Sequence, residues 1–162
     1  MNMGFGRTAA AALALCSVGV ATAQSAQAAC WSPAAVEAAQ VRDLETMLMV
    51  SALRCRRSGD NFLPKYNAFV LESKSALTAA NDAIRGHFAP LGGLNAYDSY
   101  VTSVANRYGA GAEGLGCDDM ASILGAARAE GGSYEGLKRL AKVADVQPRL
   151  PGLACKVSVA RR

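Results

Sequence analysis

Cysteine spacing constrains this chain more than any other feature of its sequence. Cys30, Cys55, Cys117 and Cys155 lie 25, 62 and 38 residues apart, whereas zinc sites usually draw ligands from close pairs. No metal site is expected from them. A fifth cysteine, Cys16, falls in an N-terminal stretch built like a secretory leader. Arg7 is its single charge, residues 9–20 are apolar, and Ala26-Gln27-Ala28-Ala29 fits the A-x-A cleavage rule. Cleavage after Ala28 or Ala29 leaves four cysteines in an oxidising compartment, which predicts two disulfides. The apolar run is about a dozen residues against about 20 for a membrane crossing, so residues 1–29 read as a signal peptide rather than an anchor. Lipidation signals resemble Leu-small-small-Cys. Cys30 follows Gln27-Ala28-Ala29 and Cys16 follows Leu13-Ala14-Leu15, and neither fits.

Past the leader, the apolar residues recur with helical period. From residue 34 to about 56 there is no Gly or Pro, and Val41, Leu44, Leu48, Ala52 and Cys55 form a stripe at spacings of three and four. Ser32-Pro33 suits the start, and Arg54, Arg56 and Arg57 followed by Gly59 suit the end. A second helix is expected from about 61–64 to 87, with Tyr66, Phe69, Val70, Leu77, Ala80, Ile84 and Phe88 inward. Ala89-Pro90-Leu91-Gly92-Gly93 breaks it. A third, over 94–108, carries Leu94, Tyr97, Val101, Val104 and Tyr108. A shorter helix capped by Asp118 or Asp119 and a last one over 134–143 complete the pattern. Strand signals are confined to a weak Val-x-Val near residue 157. The chain is 51% hydrophobic and 19% charged, too apolar for disorder. The sequence therefore predicts an all-α, single-domain bundle of four to five helices over 30–147 in an up-down arrangement, followed by an extended basic tail over 148–162.

Helix geometry limits how the cysteines pair. Cys30 and Cys55 bracket the first helix, and about 22 residues at 1.5 Å each span about 33 Å, whereas bonded Cα atoms lie within about 7 Å. That excludes Cys30–Cys55 and, with it, Cys117–Cys155. In an up-down bundle Cys55 and Cys117 reach the same end, so Cys55–Cys117 and Cys30–Cys155 are the expected bridges.

Net charge is a mild +4, which forces neither a nucleic-acid nor a membrane partner. Its distribution is less even. From residue 138 onward there are seven basic residues, Lys138, Arg139, Lys142, Arg149, Lys156, Arg161 and Arg162, against the single acid Asp145. They form a candidate anion-contact strip for lipopolysaccharide, an acidic polymer or anionic lipid. No aromatic residue follows Tyr134, so a base-stacking platform is not expected.

Motifs for chemistry are sparse. Gly109-Ala110-Gly111-Ala112-Glu113-Gly114 satisfies G-x-G-x-x-G but lacks the preceding strand that a dinucleotide site needs. His87 is the sole imidazole, at a helix end where it suits the helix dipole, and no G-x-S-x-G segment is present. Met47 and Met49 read as core and flank packing rather than copper ligands. Glu72-Ser73 and the later Ala96-Tyr97-Asp98 resemble lytic transglycosylases, in which a catalytic Glu-Ser on a helix precedes an Ala-Tyr-Asn segment. The resemblance implies a glycan-cleaving enzyme with Glu72 as general acid. It covers two fragments. Asp98 stands where the family has Asn, and no Gly-Leu-Met-Gln type segment lies between them.

The expectation from sequence is an exported, non-catalytic helical protein of the bacterial periplasm or cell envelope, without cofactor, in a structural, binding or chaperone-like role. An envelope glycan hydrolase using Glu72 and a binder of anionic envelope surfaces are the alternatives.

Overall fold

The computed structural model describes residues 30–155; the leader, Lys156, Arg161, Arg162 and the Val-x-Val segment lie outside the described residues. Six α-helices run in the order α1 Pro33–Cys55, α2 Leu63–Glu72, α3 Lys74–Phe88, α4 Gly93–Arg107, α5 Cys117–Ala129 and α6 Tyr134–Val143, with a 3-10 turn at Ala89–Leu91 after α3. The class is all-α. No named strand occurs among the described residues, and the one β-bridge pairs Trp31 with Ala154. No helix among the described residues is long and apolar enough to cross a membrane.

The helices are grouped around α1. α1 packs against each of the other five helices. Its residues Asp43, Leu44, Glu45, Thr46, Met47 and Leu48 are all buried, and six consecutive residues exceed the 3.6 of a full turn. No face of α1 is free at this level. Small side chains permit this crowding: Ala35, Ala38, Ala39, Ser51 and Ala52 are buried too and let neighbours approach from several directions. The ends of α1 are as the sequence suggests. The Ser32 hydroxyl accepts from the Ala35 N–H at 3.2 Å, and Pro33 occupies the first turn.

The single helix expected over 61–87 is two. Ser73 adopts φ −99°, ψ 10°, and α3 begins at the next residue. The segment packed against the break is remote in sequence. Gly132, with φ +73°, lies against the Glu72 carbonyl and the Ser73 Cα, so closely that a Cβ would collide with that carbonyl. The Gly131-Gly132 connection thus wedges against the chain where the helix bends. Leu94, expected inward, is 65% exposed, and the inward face of α4 is Tyr97, Tyr100 and Val104 instead. At α5, Gly116 rather than Asp118 or Asp119 is the cap residue; Asp119 instead accepts from the Gly116 N–H at 2.8 Å. α6 ends where Asp145 takes φ +49° and the Val146 N–H reaches the Ala141 carbonyl at 2.9 Å, with the Val146 side chain buried.

Both disulfides involve the ends of α1. Cys30 is joined to Cys155 with Cα atoms 4.9 Å apart, and Cys55 to Cys117 at 5.8 Å. Met47 is buried in the core and Met49 packs against it.

The wedge at Ser73 yields a paired test. Gly131 and Gly132 both have positive φ, but a Cβ at Gly131 meets open space. Gly131→Ala should cost about 1 kcal/mol, the left-handed penalty alone. Gly132→Ala should cost about 1–3 kcal/mol more through overpacking. Urea midpoints of the two variants measure the difference, and equal midpoints would contradict the close packing of Gly132 against the Glu72 carbonyl.

Candidate functional site

After α6 the chain runs back as an extended strap, and Trp31 holds it. The Trp31 N–H donates to the Leu153 carbonyl at 2.8 Å, and the Cys155 N–H donates to the Trp31 carbonyl at 2.8 Å. The indole Nε1 donates to the Pro151 carbonyl at 3.0 Å. Trp31 is fully buried, stacked on His87 with ring centroids 3.9 Å apart, edge-to-face with Phe88 and tilted against Tyr100, each of these two at 5.5 Å. The Cys30–Cys155 bridge closes the strap next to this aromatic cluster.

Fixing the strap creates a groove between it and α4, about 560 Å³ in volume, within the 300–1,000 Å³ typical of small-molecule sites. Phe88 and Tyr100, both buried, form its floor. Ala96, Ser99 and Ser103 of α4 line one side, with Leu91 beside them. Arg149, Leu150 and Pro151 of the strap line the other. The serine hydroxyls are turned to their own helix, Ser99 donating to the Asn95 carbonyl at 2.9 Å and Ser103 to that of Tyr100 at 2.7 Å. A second and more polar groove, about 860 Å³, lies between the Gly-rich 109–116 loop and residues 144–149, with Arg107, Tyr108, Glu113 and Asp145 among its lining. Arg149 lines both grooves.

Away from the groove linings, α1 contributes two buried acids that the sequence pattern does not reveal. Asp43 is fully buried and paired with Arg107 of α4, whose guanidinium also lies over the Tyr108 ring at 4.8 Å. Glu45 is paired with Arg42 at 2.6 Å and accepts the Tyr66 hydroxyl of α2. Burial pushes the Tyr66 hydroxyl well above its ordinary pKa, and the neighbouring Glu45 charge adds to that. Burial raises Tyr100 and Tyr108 likewise, with Asp43 contributing to both. These phenols stay neutral. Each acid therefore ties α1 to another helix, and the pairs lock helices rather than present reactive groups.

The residues singled out from sequence fall in different places. Glu72 is the last residue of α2, half-exposed, and Arg128 of α5 grips its carboxylate with two hydrogen bonds of 3.0 and 2.6 Å. The Arg128 hydrogen bonds hold this carboxyl below its ordinary range, the opposite of what a general acid requires. Tyr97, the other fragment of that resemblance, is buried and its hydroxyl donates to Asn81 at 3.3 Å. On α6 the basic strip is largely matched. Lys138 pairs with Glu37 at 2.7 Å and Glu135 at 3.1 Å, Lys142 with Glu37 at 3.2 Å, and Arg139 with Glu130 at 2.9 Å. Arg149 is exposed and makes no ion pair among the described residues. The G-x-G-x-x-G segment is a connection between α4 and α5, with Gly111 and Gly114 in the left-handed region and the Arg54 guanidinium packed against Gly111. Among the described residues no three His, Cys, Asp or Glu side chains are grouped to hold a metal ion.

No family model matches the chain, and neither the curated proteins nor the solved structures include a significant match.

His87 provides a pH test of the aromatic cluster. Its Nε2 is buried without a hydrogen-bond partner, and burial holds its pKa below the ordinary value. The folded protein then binds this proton less tightly than the unfolded chain. Its stability contribution is complete above the ordinary histidine pKa of about 6.5 and is lost as pH falls through it toward the lowered folded value. The urea midpoint should drop between pH 7.5 and 5, and His87→Gln should flatten that slope. An identical slope in the variant would exclude His87 as its source.

Proposed function

We propose that this is a non-catalytic binding protein of an oxidising compartment, exported to the bacterial periplasm or cell envelope by its N-terminal leader. The observation that carries this reading is the chemistry of the strap groove. Its lining has apolar and aromatic surface, two serines and one arginine, and no carboxylate, imidazole or thiol. That set offers burial and one charge contact to a ligand, and its one titratable hydroxyl, on Tyr100, is buried and held neutral. The two disulfides support an oxidising compartment, since such bonds persist mainly outside the cytosol. The paired, lowered Glu72 favours binding over glycan cleavage.

Cell fractionation followed by thiol alkylation tests the reading. Expression of the full chain in a bacterial host should give a periplasmic product whose N-terminus is Ala29 or Cys30, with no alkylatable thiol until reductant is added. The purified product should release no soluble fragments from peptidoglycan. A cytosolic product with free thiols would contradict export, and fragment release abolished by Glu72→Gln would establish the enzyme instead.

A further inference from the structure

We infer that the strap groove binds a single-chain anionic amphiphile of the fatty-acid type, its hydrocarbon chain over Phe88, Tyr100, Leu150 and Pro151 and its carboxylate at Arg149. The inference deepens the binding reading above and rests on it. Three observations combine to identify the ligand. The floor of the groove is aromatic, and Leu150 and Pro151 give its strap wall apolar surface beside Arg149. The serines on its α4 side direct their hydroxyl protons to their own helix, so they offer no free donor to a polar ligand body. The only charge in the lining is Arg149, and no acid among the described residues neutralises it, while its three described companions in the basic strip are all paired. An apolar channel with one unmatched cation at its edge complements a molecule that is hydrocarbon along its length and anionic at one end.

The placement of Arg149 strengthens the assignment. It stands where the apolar groove adjoins the polar one, so a carboxylate there would stay in contact with water while the chain behind it is covered. The strap itself is held by the Trp31 hydrogen bonds and the Cys30–Cys155 bridge, so the wall that carries the cation is in place before any ligand arrives. Such preorganisation lowers the ordering cost of binding.

The test is calorimetric titration of the disulfide-bonded protein with octanoate, decanoate and dodecanoate below their micellar concentrations, alongside dodecanol and dodecylamine. Affinity should rise about fourfold per methylene, as burial of a CH₂ requires. Dodecanoate should bind more tightly than dodecanol, by about fivefold at low salt, and lose that margin at high salt. Dodecylamine should bind most weakly. Arg149→Ala should erase the carboxylate's advantage and leave dodecanol unchanged. Ser99 and Ser103 are exposed, so Ser99→Trp or Ser103→Trp should fold and block all ligands, with circular dichroism as the check on folding. The inference is overturned by absent dodecanoate binding, by chain-length independence, or by an amine that binds as well as the acid. It is equally overturned if binding appears only after residues 156–162 are removed, or if light scattering shows a dimer that occludes the groove. In a correctly exported, disulfide-bonded protein the ligand and chain-length results would leave the binding reading standing and remove only the ligand class, whereas an occluding dimer would remove the groove as a binding site.

Discussion

A helix buried on every side cannot carry a charge without a partner, and α1 carries several. Asp43 and Glu45 lie where the helix is enclosed on all faces, and leaving either acid unpaired there would cost several kcal/mol. Their partners come from separate parts of the chain: Arg107 at the end of α4 for Asp43, and Arg42 with the Tyr66 hydroxyl of α2 for Glu45. Apolar contacts alone would allow α2 and α4 to slide along α1, because small side chains such as Ala38, Ala39 and Ala52 impose little shape. The ion pairs and the phenol contact fix their register, and the packing of the remaining helices follows from it.

The same helix is fastened at both ends. Cys55 joins its last turn to the first residue of α5, and Cys30, three residues before it starts, joins it to the strap. Trp31 lies between the second bridge and the helix cap and converts a covalent tie into a defined surface. Its backbone and indole together take three hydrogen bonds with residues 151–155, so the strap passes at a fixed height over Phe88 and Tyr100. The groove and the exposed position of Arg149 are consequences of that height. Structure and candidate site are thus one construction, in which a core helix fixes a strap and the strap forms a wall.

Much of this was legible in the sequence because it depends on local rules. The Ser32 cap, the 134–143 helix and the all-α class follow from capping chemistry and apolar spacing, and the disulfide pairing followed once a continuous first helix excluded Cys30–Cys55. The pairing needs only that Cys117 arrives at the end of α1 that carries Cys55, and the bridge between them meets that condition. What was not legible depends on contacts distant in sequence. The break at Ser73 lies where Gly132, nearly sixty residues away, packs against the chain, and no residue around Ser73 is a helix breaker. Asp43 and Glu45 stand two residues apart and so point to different sides of the helix, and nothing local marks either as buried until five neighbours enclose them. Arg149 looked like one cation among seven, and only the pairing of Lys138, Arg139 and Lys142 with acids on α1 and beside α6 sets it apart.

The claim that α1 anchors the fold while the strap is a separately fastened wall is tested most directly by native-state hydrogen exchange on the protein and its Cys30→Ser/Cys155→Ser variant. The slowest amides should be those at the centre of α1, around Leu44 to Leu48, exchanging only by global opening in both proteins. The Trp31 and Cys155 amides, protected through their bonds to the strap and to Trp31, should lose protection in the variant relative to the α1 centre. Loss of protection in α1 equal to that in the strap would contradict the account, because it would make the strap part of the same cooperative unit rather than a wall laid against it.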